Sequence, residues 1–146
     1  MSESRPTKAQ EIAEAAVAFQ QETTGHAPKA VTVVLSQDTL VITLHEALSP
    51  AERDLAKSPA GSAQVQEFHR QLFSSSSQRL QKEIKRITGV EVRETVAEIE
   101  SPTSPVVQAF TGSAMVQVFR LAQSVPGDSW SGPARGKPLT EERGPL

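Results

Sequence analysis

Apolar positions recur at helical spacing over two stretches of the chain and alternate over two others. Between Lys8 and Thr23, Ile12, Ala16 and Phe19 fall on one side, with Ala9, Ala13 and Val17 beside them. That spacing predicts a helix with one apolar face. Thr7 and Gln10 stand at capping-box spacing before it, and Gly25 and Pro28 stop it. In 30–36, Val31, Val33 and Leu35 share a face; in 39–45, Leu40, Ile42 and Leu44 do. The polar pair Gln37-Asp38 between the two runs predicts a tight hairpin. Next, Ser49, Pro50 and Glu52 form a cap, a first-turn proline and a capping-box acid. They start a short helix that Leu55 is expected to pin to the core.

The longest periodic stretch runs from Ser62 to Ile87. Val65, Phe68, Leu72, Ser76, Leu80, Ile84 and Ile87 step by three or four, with Phe73 widening the stripe. The stripe keeps its phase across Ser74–Ser77, so one helix is predicted although serine is a mediocre helix former. Gly89 ends it. Alternation resumes at Val90 and Val92 and shifts phase towards Val96 and Ile99, which predicts a bulge near Glu94–Thr95. Val106–Leu121 reads as a returning strand, with Met115, Phe119 and Leu121 opposite Val116, Val118 and Arg120. The fold class is therefore α+β. The expected architecture is a two-layer sandwich of order helix–hairpin–helix–hairpin with a mainly antiparallel sheet.

Composition changes this picture at the ends. Of the 146 residues, 37% are hydrophobic, which is low for a compact unit. The stretch Gln123–Leu146 holds four of the ten prolines and four of the eight glycines. It shows no apolar period, and its charges cancel. Residues 123–146 are read as a disordered Pro/Gly-rich tail with Trp130 in solvent, 1–6 as a disordered N-terminus, and 7–122 as the folded domain. A net charge of -2 argues against bulk nucleic-acid binding. The absence of cysteine excludes disulfides and Cys-ligated metal. No run approaches the ~20 apolar residues of a membrane span. The polar start, Met1 to Lys8, lacks the pattern of a signal peptide, so a cytoplasmic protein is expected.

Candidate chemistry is sparse. His26, His45 and His69 stand in no metal-binding spacing, and no nucleophile elbow, phosphate loop or dinucleotide fingerprint occurs. Ser74–Ser77 lacks a paired base and reads as a helix face. Glu46, Glu52 and Asp54 are acids at a helix start, where the helix dipole favours them. No catalytic, metal or cofactor site is assigned, and no cofactor is expected. Arg79, Lys82, Lys85 and Arg86 line the far side of the long helix. They form either a docking patch for an anionic partner or membrane surface, or an ordinary solvated face near a helix C-terminus.

The ordered series Gly25-His-Ala-Pro28, Val31–Leu35, Leu48-Ser-Pro-Ala-Glu52 with Leu55, Gly61 with Val65 and Arg70, and Thr88-Gly89-Val90-x-Val92 resembles the MpsC domain family. That family is named for a sodium-translocating, membrane-potential-generating system of bacteria. The likeness covers about residues 9–121. Ala27 stands where the family has a second glycine, and 98–113 is longer than expected. The resemblance implies a small soluble protein tied to a membrane-potential and bicarbonate-uptake system. It marks Gly25, Pro28, Leu48, Pro50, Glu52, Gly61, Arg70 and Gly89 as motif positions without assigned roles, and it supplies no catalytic residues. The expected function is a non-enzymatic accessory or regulatory interaction domain. The alternatives are a small-ligand sensor and an enzyme of unknown type. A stripe from Val65 to Ile87 spans about 33–35 Å, against about 17–24 Å for strands of five to seven residues. The expectation is a homodimer covering the end near Leu80, Ile84 and Ile87, with a protein partner at a membrane system.

Overall fold

The computed structural model describes residues 6–99 and 114–134, and for 94–99 the backbone alone. The elements are α1 (Lys8–Thr24), β1 (Ala30–His45), α2 (Pro50–Leu55), α3 (Pro59–Thr88), β2 (Val92–Ile99) and β3 (Met115–Pro133). The fold is α+β, and its antiparallel sheet joins the three strand elements in the order β1-β3-β2. Local chemistry sets the helix ends as the sequence implies. The Thr7 hydroxyl accepts from the Gln10 amide at 3.2 Å. Gly25 and Gly89 close α1 and α3 in the left-handed conformation, each at φ 79, which a side chain would disfavour.

β1 doubles back on itself. The Lys29 amide donates to the His45 carbonyl at 2.8 Å, and Thr32 Oγ1 lies 3.0 Å from His45 Nε2. A straight run of 16 residues would hold these groups about 50 Å apart. The arms 30–36 and 39–45 therefore lie side by side, joined at Gln37, whose φ of 57 suits the first position of a two-residue hairpin turn. Val31, Val33 and Leu35 alternate along the first arm, and Leu40, Ile42 and Leu44 along the second. All six are buried. The hairpin expected from the alternation is present.

β3 embraces this hairpin. Its residues 115–120 pair antiparallel with the second arm, from Leu44 to Thr39, and 128–133 pair antiparallel with the first arm, from Leu35 to Ala30. Because the arms oppose each other, these two parts of β3 oppose each other as well. The chain between them, with Pro126 and Gly127, rounds the hairpin tip. Five extended segments thus lie edge to edge, with β2 beyond 115–120.

This overturns the reading of residues 123–133 as disordered. Proline and glycine there are punctuation, not disorder. Pro126-Gly127 sits at the reversal, and Pro133 ends an outermost segment, where a missing N–H costs no ladder bond. Trp130 is the register partner of Val33 and packs against the core. The Asp128 carboxylate accepts from the Ala9 amide at 2.9 Å, tying the strand to the start of α1. The rest of the expected tail, 135–146, lies outside the described residues, as do 1–5 and the start of the returning strand at Val106.

One buried cluster joins α1, α3 and the inward side chains of β1 and β3. On β3 these are Met115, Phe119 and Leu121, as alternation predicts, together with Gln117. The bulge in β2 falls between Val92 and Glu94, one residue before its expected place. α3 is a single helix through the serines, but its buried stripe differs from the predicted one. It runs Gly61, Val65, His69, Phe73, Ser77, Leu80, Ile84, Ile87. Steps of four drift about 40° per step around the axis, so the first half of the helix turns a different side inward. Phe68 is left 49% exposed and Leu55 47% exposed, contrary to their expected core roles. Leu80, Ile84 and Ile87 are buried within the chain's own core, so they cannot form the expected dimer contact.

Candidate functional site

The elbow between α2 and α3 gathers most of the sequence signals. Ser49 and Glu52 complete a reciprocal cap: the Glu52 amide donates to Ser49 Oγ at 3.2 Å, and the Ser49 amide donates to Glu52 Oε1 at 2.9 Å. Pro50 occupies the first turn of α2, where its lacking N–H is harmless. The second oxygen of Glu52 lies 3.0 Å from His69 Nε2 on α3. The His69 side chain is 2% exposed, so one carboxylate both starts α2 and satisfies a buried imidazole. Gly61 makes the close approach possible. A Cβ there would overlap the Leu55 carbonyl oxygen and sit 2.8 Å from its carbon. The elbow is thus rigidly specified, yet it holds two large apolar side chains at its surface. The Phe68 ring stands edge-on to His69, with centroids 5.4 Å apart.

The expected docking patch on α3 is largely neutralised by neighbours. Arg79 pairs with Glu22 of α1 at 2.9 Å, Lys85 with Glu91 at 2.6 Å and Arg86 with Glu83 at 2.8 Å. Lys82 makes no ion pair among the described residues. Exposed pairs of this kind contribute little to stability, but they cancel most of the positive field. Arg70 likewise pairs with Glu67 at 2.8 Å. Among the described residues no three His, Asp or Glu side chains are grouped as a metal would require, and no helix is long and apolar enough to cross a membrane.

A family model described as "Na+-translocating membrane potential-generating system (MpsC)" matches residues 4–113. The chain belongs to the MpsC family. No curated protein and no solved structure matches it. The matched span takes in α1 to β2 and ends before the described part of β3. The positions on which the sequence resemblance rested have structural places here. Gly25 and Gly89 cap helices, Pro28 and Leu48 are buried, and Gly61, Pro50 and Glu52 build the elbow.

Three features escaped the sequence reading. The His69–Glu52 pair was hidden because the predicted stripe ran through Phe68. The series Gly61, Val65, His69, Phe73 at strict four-residue spacing was the available signal. The Asp128 bond to α1 depends on a contact across 119 positions, for which no local signal exists. Gln20 and Gln117 are 2% and 1% exposed; their polar side chains hid them, although the period of α1 through Ala16 and the alternation of β3 through Met115 and Phe119 place both positions inward.

Proposed function

We propose that this MpsC-family chain is a non-enzymatic accessory interaction domain of a membrane-potential-generating system. It acts from the cytoplasmic side as a regulatory homodimer and docks a protein component of that system through the α2–α3 elbow. The observation that carries this reading is the half-exposed Phe68 ring, held edge-on to His69 on an elbow that also exposes Leu55 and is fixed by Glu52, His69 and Gly61. Aromatic side chains on a rigid support are the usual anchors of protein interfaces, because little side-chain entropy is lost when they bind. The family description supports the association with such a system.

Co-purification from the native cell tests it. Tagged wild type should recover membrane components of the system. Phe68→Asp should lose them while keeping the wild-type circular dichroism. Equal recovery by the folded variant would overturn the elbow as the docking site.

A further inference from the structure

α1 and α3 lie side by side with opposed directions. Arg79 pairs with Glu22 at 2.9 Å. Further along, the Arg86 guanidinium is hydrogen-bonded to Glu83 and drawn also by Glu11, which hold it above its ordinary pKa. Positions therefore rise on one helix as they fall on the other, and Glu14 and Lys82 stand within about a turn of the same level. Each helix turns about 100° per residue, so its buried side fixes its outward one. On α1 the side opposite buried Ala16 carries Glu11, Glu14, Ala18 and Glu22. On α3 the side opposite Leu80, Ile84 and Ile87 carries Arg79, Lys82 and Arg86. The outward side of α1 is thus acidic and that of α3 basic. Glu22 and Arg79 neutralise each other, as do Glu83 and Arg86. Glu14 and Lys82 are both exposed, and neither makes an ion pair among the described residues.

We infer that this charged side of the two helices is the homodimer interface, with the two-fold axis running along the groove between α1 and α3. Such an axis keeps every residue at its level and exchanges the helices, so each α1 lies on the α3 of the second copy. Glu14 then meets Lys82 of the second copy, twice over. The Glu22–Arg79 pair meets its own copy turned about, acid to base, so the four charges alternate. Charge complementarity selects a second copy as the occupant. A surface split into an acidic and a basic stripe complements itself under this rotation. A partner of one sign, such as an anionic lipid surface, would satisfy one helix and be repelled by the other. Ala18, exposed on the acidic side, leaves room for the long side chains of the opposing α3.

This inference rests on the dimeric part of the function proposed above and replaces the helix contact expected from Leu80, Ile84 and Ile87. Sedimentation equilibrium of the full chain tests it. Wild type at low salt should have twice the 15.7 kDa chain mass, and added salt should weaken the dimer by screening its charges. Glu14→Lys and Lys82→Glu should each raise the dissociation constant by about tenfold or more, because like charges then face each other, with circular dichroism unchanged. The double exchange should restore the dimer, since the pair is rebuilt with its signs reversed. Monomeric wild type at high micromolar concentration and low salt would overturn both the dimer and its interface. A dimer indifferent to either single exchange, or one that the double exchange fails to restore, would overturn the interface alone. Phe68→Asp should remain dimeric, and none of these outcomes bears on docking at the elbow, which co-purification reads separately.

Discussion

Exchanging the roles of two phenylalanines gives a quantitative test of how α3 is seated. Phe73 is 7% exposed. Its ring lies 6.5 Å from that of Phe19 on α1 and 6.0 Å from that of Phe119 on β3, bridging helix to helix and helix to sheet. Truncating it to alanine removes a buried aromatic and leaves a cavity between three elements, at a cost of about 3–5 kcal/mol. Phe68 lies five positions earlier and is 49% exposed. Complete burial of such a side chain contributes about 1.5–3 kcal/mol. Half of that, with water filling the space, is about 1 kcal/mol. The two variants should therefore differ by about 2–4 kcal/mol. Since domain stabilities are about 5–15 kcal/mol and urea slopes about 1–3 kcal/mol per molar, the difference is easily resolved. Urea unfolding followed by far-UV circular dichroism should show a much lower midpoint for Phe73→Ala and a small shift for Phe68→Ala. Equal losses, or a larger loss at Phe68, would mean that the helix buries the side its apolar stripe suggests.

Three further outcomes follow from the same contacts. Trp130 packs on the core, so its fluorescence should shift on unfolding and coincide with the circular dichroism transition; an unchanged emission would detach 128–133 from the sheet. The Asp128 carboxyl is held below the usual carboxylate range, chiefly by the Ala9 amide. It therefore adds stability that is complete above its unfolded value, about 3.9, and is lost as pH falls through the lower folded value. Asp128→Asn should make stability fall less steeply between pH 5 and pH 2, and an unchanged acid limb would refute the bond. Gly61→Ala should cost about 1–3 kcal/mol in the urea midpoint, because the methyl group meets Leu55 backbone and not a flexible side chain.

The helix caps, the β1 hairpin and the inward faces of β1 and β3 were legible in the sequence because each depends on neighbours in the chain. Thr7, Gly25, Ser49, Glu52 and Gly89 act within four residues of their own positions. The turn at Gln37 showed as a change of alternation phase between Leu35 and Leu40. The seating of α3 was ambiguous for a physical reason: Val65 begins two apolar rows, one through Phe68 and Leu72 and one through His69 and Phe73. Packing against α1 and α2 chose the second, at the cost of exposing Phe68. The second half of β3 was illegible because its prolines and glycines match the composition of disorder. Its pairing partners, Ala30–Leu35, are about a hundred positions away. The elbow's parts were visible singly, but their convergence through Glu52 and His69 was not.

The central claim, that the α2–α3 elbow docks a component of the membrane system, can be read by site-directed crosslinking. The chain has no cysteine, so Gln64→Cys places a unique photo-crosslinker at an exposed position one turn before Phe68, and Lys82→Cys places one at an exposed position in the second half of α3. In native membranes the label at position 64 should capture a membrane component and the label at position 82 should capture none. Capture from position 82 with none from position 64 would contradict the account.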